Sequence, residues 1–124
     1  LKTDFLKVIN ACVNMNLDSI NFEWKKEKSL CIVVCSKGYP ESYKNNVEIK
    51  DLNKISLKNN EFIFHAGTNN YQSKIFSNGG RVLNFVILSN EFKLSRDNAL
   101  NLISQLNWSN GFFRKDIGYK ILDK

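Results

Sequence analysis

The nine residues Arg81-Val82-Leu83-Asn84-Phe85-Val86-Ile87-Leu88-Ser89 constrain the fold most. A run so rich in β-branched and large apolar side chains favours an extended strand. Further strands are expected at Ser29 to Cys35, Glu61 to Ala66 and Tyr71 to Ser77, with shorter ones at Asn21 to Trp24 and near Val47 to Ile49. The turn Lys25-Lys26-Glu27-Lys28 predicts a hairpin between the strands around it, and Asn78-Gly79 predicts a tight hairpin joining 71–77 to 81–89, because Asn and Gly accept the positive φ such turns require. Helical spacing occurs in two places. Phe5, Leu6, Ile9, Cys12 and Val13 recur as one face, with Thr3 as the expected cap and an end near Met15 or Asn16. Ala99, Leu100, Ile103 and Leu106 recur as another, with Ser95 as the expected cap and Gly111 after the exit. Helices therefore do not alternate with strands, which argues against parallel βαβ units. The expected class is α+β, a mostly antiparallel sheet flanked by about two helices.

At 124 residues, 43% apolar and 24% charged, the chain has the size and composition of one globular domain with one core. Its longest uncharged apolar run, Leu30 to Cys35, is too short to cross a bilayer, and no secretory pattern opens the sequence. A soluble, cytoplasmic protein is expected. The first residue is Leu, just ahead of a helical pattern, as in a fragment of something longer. Three cysteines argue against a disulfide scaffold. Cys31 and Cys35 stand too far apart on a strand for a bridge or a shared small metal site, so three buried, reduced thiols are expected.

The formal charge of +6 raises the alternative of a free-standing basic module that binds RNA or another polyanion, with Tyr39, Tyr43, Phe112 and Phe113 near basic residues. Most basic residues are nevertheless scattered; only Lys25-Lys26-Glu27-Lys28 forms a run, and an acid interrupts it.

No self-sufficient catalytic set is present: there is one His, no P-loop and no dinucleotide fingerprint. His65 ends an expected strand, where a side chain can face a cleft or anchor a loop. Gly79-Gly80-Arg81 suits an anion better. Residues without Cβ let backbone amides approach a phosphate or carboxylate, and the guanidinium can bind it through two parallel hydrogen bonds. The same segment also suits an ordinary hairpin turn. Lys37-Gly38-Tyr39-Pro40 fits a turn as well, and Arg114 with Asp116 fits a surface ion pair.

Taken in order, Ser36-Lys37-Gly38-Tyr39-Pro40, Phe64-His65-Ala66-Gly67-Thr68, Ser77-Asn78-Gly79-Gly80-Arg81-Val82-Leu83 and Arg114-Lys115-Asp116-Ile117-Gly118 resemble the C-terminal domain of the phosphoribosylamine–glycine ligase family. The likeness reaches the opening Leu1-Lys2-Thr3-Asp4 and so covers nearly the whole chain. It departs at Glu41, where the family often has Gly, at Ser77 in place of Thr, and at Asn84 in place of a small residue.

The resemblance implies that residues 1–124 are one C-terminal domain, of partial barrel-sandwich type, from an ATP-grasp enzyme of purine synthesis. It implies that the N-terminal and ATP-grasp domains, where ATP and Mg or Mn are mainly held, lie outside this chain, so the chain alone is inactive and carries no catalytic or metal residues. The implied substrates are glycine and phosphoribosylamine, with neither nucleic acid nor membrane as partner. The implied substrate-side residues are Gly79, Gly80 and Arg81, with Arg81 neutralising the phosphoribosyl phosphate. His65 and Thr68 are implied for ribose or glycine, Lys37 for the loop facing the cleft, and Arg114 and Asp116 for binding ligand or bracing Arg81.

Overall fold

The computed structural model describes residues 1–122. Seven strands form two antiparallel sheets. The first has the order β3 (Glu61–His65), β6 (Arg81–Ser89), β1 (Lys28–Ser36), β7 (Gly111–Phe112); the second has the order β2 (Glu48–Ile49), β5 (Lys74–Ser77), β4 (Thr68–Tyr71). Helices α1 (Phe5–Val13) and α2 (Phe92–Ser104) complete the α+β architecture, with short 3-10 turns at Leu17–Ser19, Leu52–Lys54 and Tyr119–Ile121.

The long strands β1 and β6 form the central pair, and their side chains alternate between two faces. Leu30, Ile32, Val34 and Ser36 from β1 are buried on one face with Leu83, Phe85, Ile87 and Ser89 from β6. Ala99, Leu102 and Ile103 of α2 cover that face, and Ile49 of the second sheet and Trp108 extend the same core. On the other face Cys31 is exposed, while Val33, Cys35, Asn84 and Val86 are half-buried.

Five expectations change. The segment 21–24 forms no strand beside β1, because its backbone groups pair with the N-terminus. Lys2 N donates to Glu23 O at 2.7 Å, and Glu23 N donates to Thr3 Oγ1 at 2.7 Å. Thr3 is thereby occupied, and Asp4 caps α1 instead, its Oδ1 accepting from Leu6 N at 2.8 Å. Ser95 lies inside α2, which starts at Phe92; it is buried, 2.7 Å from the Ser89 hydroxyl. The cysteines are free but none is buried: Cys12 and Cys31 are exposed and Cys35 is half-buried, because nothing among the described residues fully covers their sides of α1 and β1.

The fifth change concerns Asn78-Gly79. β5 and β6 do not pair. β5 turns back on β4 through Gln72 and Ser73, whose φ values of 49° and 60° are those of a tight hairpin turn. Asn78–Gly80 instead carries the chain from the second sheet into the first.

Candidate functional site

Three of the four sequence segments meet at one end of the central pair, held largely by backbone; the fourth leaves that end and runs back along β1, with Gly118 against Leu30 and the Lys115 and Ile117 carbonyls accepting from Arg96 of α2. Ser36 N donates to Gly80 O at 2.8 Å, and Ser36 Oγ donates to Gly79 O at 2.9 Å. Gly67 N donates to Arg81 O at 3.0 Å, and Asn78 N donates to Gly67 O at 2.8 Å. Lys37 N donates to Asn110 O at 2.8 Å, and Phe112 pairs with Cys35, which brings in the segment that leads to Arg114.

Close packing explains the glycines here. A Cβ on Gly80 would overlap the Tyr39 ring, and one on Gly67 would lie 2.7 Å from the Arg81 carbonyl oxygen. Tyr39 and Ser36 both belong to the Ser36-to-Pro40 segment. Their job here is to hold Gly79 and Gly80, and so the start of β6.

The orientation of Arg81 follows from a β-bulge. Along β6, Leu83, Phe85, Ile87 and Ser89 share the buried face, and strict alternation would put residue 81 with them. The register shifts between Val34 and Cys35: Val34 stands opposite Leu83, but Cys35 stands opposite Arg81. Val82 is the extra residue, and both Val82 and Leu83 are fully buried. Inserting one residue transfers Arg81 to the outer face, beside Cys35, where it is exposed. Among the described residues its guanidinium makes no ion pair. Its charge is felt by Cys35: burial pushes that thiol up from its ordinary pKa, and Arg81 pulls partly the other way.

Beside this outer face lies an apolar cavity of about 300 Å³, walled by Val33, Cys35, Tyr39, Pro40 and Phe112, with Arg114 among its lining residues. Arg114 donates from Nε to Asp116 Oδ1 at 3.1 Å and from a terminal nitrogen to Oδ2 at 2.7 Å. That two-pronged bond holds Asp116 below the usual carboxylate range and raises Arg114 further. Lys37 is exposed on the adjoining turn.

His65 and Thr68 form a separate pair, with His65 Nδ1 2.9 Å from Thr68 Oγ1. His65 stands opposite Leu83, so it belongs to the other face of the sheet from Arg81. There it lines a cavity of about 340 Å³ with Leu52, Ile55, Ile63 and Ile75. The candidate residues thus share one end of the sheet but divide between its two faces: Arg81 with Cys35 on one, His65 with Thr68 on the other.

Among the described residues no three His, Cys, Asp or Glu side chains cluster as a metal ion would need. Nor is any described helix long and apolar enough to cross a membrane.

Residues 29–120 match the family described as "Phosphoribosylglycinamide synthetase, C domain". The phosphoribosylamine–glycine ligase of Caldanaerobacter subterraneus subsp. tengcongensis is 38% identical over 117 residues, 94% of this chain and 27% of that protein. The phosphoribosylamine–glycine ligase of Brucella melitensis is 34% identical over 124 residues, 100% of this chain and 29% of that protein. This chain therefore spans less than a third of the length of these relatives. The crystal structure of the Thermotoga maritima phosphoribosylamine–glycine ligase superposes with a TM-score of 0.66 at 23% identity, covering 87% of this chain and 27% of that one, and shows the same fold. The comparisons give the polyanion-binding alternative no support. With the family matched across most of its length and relatives similar throughout, the chain belongs to the phosphoribosylglycinamide synthetase C-domain family.

Proposed function

We propose that this chain is the substrate-side, C-terminal part of a cytoplasmic ATP-dependent carbon–nitrogen ligase. The ligase joins glycine to 5-phosphoribosylamine and yields glycinamide ribonucleotide, ADP and phosphate for purine synthesis. The observation that carries this reading is the similarity, over 94% and 100% of the chain, to two proteins named as phosphoribosylamine–glycine ligases. In the reaction, ATP phosphorylates the glycine carboxylate, the amine of phosphoribosylamine attacks the acyl carbon, and phosphate leaves. The described residues offer no metal-ligand cluster. ATP and its Mg or Mn are assigned mainly to the N-terminal and ATP-grasp domains outside this chain.

This chain's share is substrate recognition. Arg81, exposed and without an ion-pair partner among the described residues, neutralises the phosphoribosyl phosphate. Gly79 and Gly80 let the chain pack tightly enough to start β6 where Arg81 faces outward. Lys37 adds charge from the neighbouring turn, Arg114 and Asp116, an exposed two-pronged pair, bind ligand or brace Arg81, and His65 with Thr68 offers polar contacts for ribose or glycine. The test is ADP formation dependent on both glycine and phosphoribosylamine, assayed in the complete protein and in this chain alone. Activity in the complete protein and none in the chain is expected; a complete protein that forms no ADP with both substrates present sinks the reading.

A further inference from the structure

The bulge that turns Arg81 outward also decides which side chain stands next to it. Arg81 is opposite Cys35 and Asn84 is opposite Val33, so the two are neighbours on the outer face, one same-face step of roughly 7 Å along the sheet. Across the other ladder Phe64 pairs with Asn84, and Phe62 pairs with Val86. Asn84 is thus set in an apolar patch. It is half-buried, and among the described residues its carboxamide makes no hydrogen bond. Strands disfavour Asn, and every other residue from Val82 to Leu88 is apolar. Local propensity and packing both argue against Asn here, which is the pattern of a residue placed for a ligand and not for the fold.

One small ligand cannot be held from both faces of a sheet. A phosphoribosyl group whose phosphate sits on Arg81 has its ribose on the outer face too, whereas His65 stands on the opposite face, bonded to Thr68. We propose that Asn84 is a substrate-binding residue that reads the ribose of phosphoribosylamine, its carboxamide donating to one of the C2 and C3 hydroxyls and accepting from the other. A carboxamide suits two adjacent hydroxyls because it carries both a donor and an acceptor. Those hydroxyls lie at the far end of the sugar from the phosphate, so the two contacts need two neighbouring side chains. Arg81 and Asn84 supply them as one subsite along β6. This rests on the phosphate role of Arg81, and it moves the ribose contact from His65 and Thr68 to Asn84.

The experiment pairs a change in the protein with a change in the sugar. In the complete enzyme, kcat/KM is measured for phosphoribosylamine and for its 2-deoxy and 3-deoxy forms, each generated from the sugar 5-phosphate and ammonia, in wild type and in Asn84→Val. Val favours a strand and matches the apolar patch, so the variant is expected to unfold in urea no earlier than wild type. Wild type should lose roughly 10- to 100-fold on removal of a hydroxyl that Asn84 contacts, since the carboxamide is left unpaired. Asn84→Val should be about equally poor with phosphoribosylamine and with that deoxy form, its side of the bond being gone already, while KM for ATP stays put. Asn84→Ala gives the same comparison if the Val variant packs badly. Full wild-type discrimination against both deoxy forms in the variant overturns the proposal, as does a wild type that uses all three sugars alike. A complete protein that forms no ADP with glycine and phosphoribosylamine sinks the ligase reading and this contact with it; an active enzyme whose Asn84→Val variant keeps the discrimination sinks the contact alone.

Discussion

Arg81 stands opposite Cys35 across the β1–β6 ladder, one position out of the alternation that Leu83, Phe85 and Ile87 keep. The extra residue, Val82, decides which face the guanidinium leaves from. It also makes the Cys35 thiol a reporter of Arg81, since burial raises its pKa and the Arg81 charge partly offsets the rise. With Cys12 and Cys31 replaced by Ser, Arg81→Ala is expected to move the alkylation midpoint of Cys35 to higher pH, because the thiolate loses a neighbouring positive charge. Arg81→Lys should largely retain the wild-type midpoint. An unmoved midpoint in Arg81→Ala means the two side chains do not share a face.

Tyr39 fills the space that a side chain on Gly80 would need. Gly80→Ala should therefore lower stability by about 1–3 kcal/mol through overpacking. In a Tyr39→Ala background the same change should cost much less, which urea denaturation of the four proteins can measure. Equal costs in both backgrounds would show that the ring is not the reason for glycine.

Phe85 and Phe5 make opposite forecasts from the same residue type. Phe85 is fully buried between the sheet and α2, and its replacement by Ala should cost about 3–5 kcal/mol. Phe5 is exposed in this chain, and Phe5→Ala should change stability by about 0.5 kcal/mol or less. A large loss from Phe5→Ala in the isolated chain would mean that α1 is packed here after all.

The Arg114–Asp116 pair sets a pH dependence. The hydrogen bond from Arg114 lowers the folded-state pKa of Asp116 below its unfolded value. Its contribution to stability is therefore complete above the unfolded value and is lost as pH falls through the lower, folded one. Asp116→Asn should lie below the wild type at neutral pH by a small margin, the pair being exposed, and the gap should close on acidification. A gap that widens in acid contradicts the pairing.

The sequence made the central strands legible because alternation and β-branching are strong where one face is buried: β6 runs Arg81–Ser89 as expected, and β1 extends the expected 29–35 by one residue at each end. The Asn78-Gly79 hairpin failed for a tertiary reason. Gln72 and Ser73 adopt the left-handed conformation without glycine because β4 and β5 pair on either side of them, freeing Asn78–Gly80 to link the sheets. The orientation of Arg81 was hidden by a single inserted residue. The sequence carries no distinct trace of it: Val82 and Leu83 are adjacent apolar residues, but so are Phe85, Val86, Ile87 and Leu88, where the register is regular. The segment from 1 to 28 misled in another way: its apolar spacing is real, but the surface it suits is not the one this chain's own strands provide.

Burial of the thiols was the least legible feature. An apolar neighbourhood in sequence predicted a core position for Cys12, Cys31 and Cys35, yet each lies on a side of its helix or strand that the described residues leave partly or wholly uncovered. The same open sheet face carries Arg81, so Cys31, Cys35 and the candidate phosphate ligand share a surface that sequence alternation alone would have split.

The most direct measurement is steady-state kinetics of the complete enzyme with phosphoribosylamine, comparing wild type, Arg81→Lys and Arg81→Ala. A guanidinium bonded to the substrate phosphate should make kcat/KM for phosphoribosylamine fall roughly 10- to 100-fold in Arg81→Ala, the range of a charge-assisted hydrogen bond, with a smaller loss in Arg81→Lys and little change in KM for ATP. Unchanged efficiency toward phosphoribosylamine in Arg81→Ala would contradict the phosphate role and leave the bulge at Val82 without a part in substrate recognition.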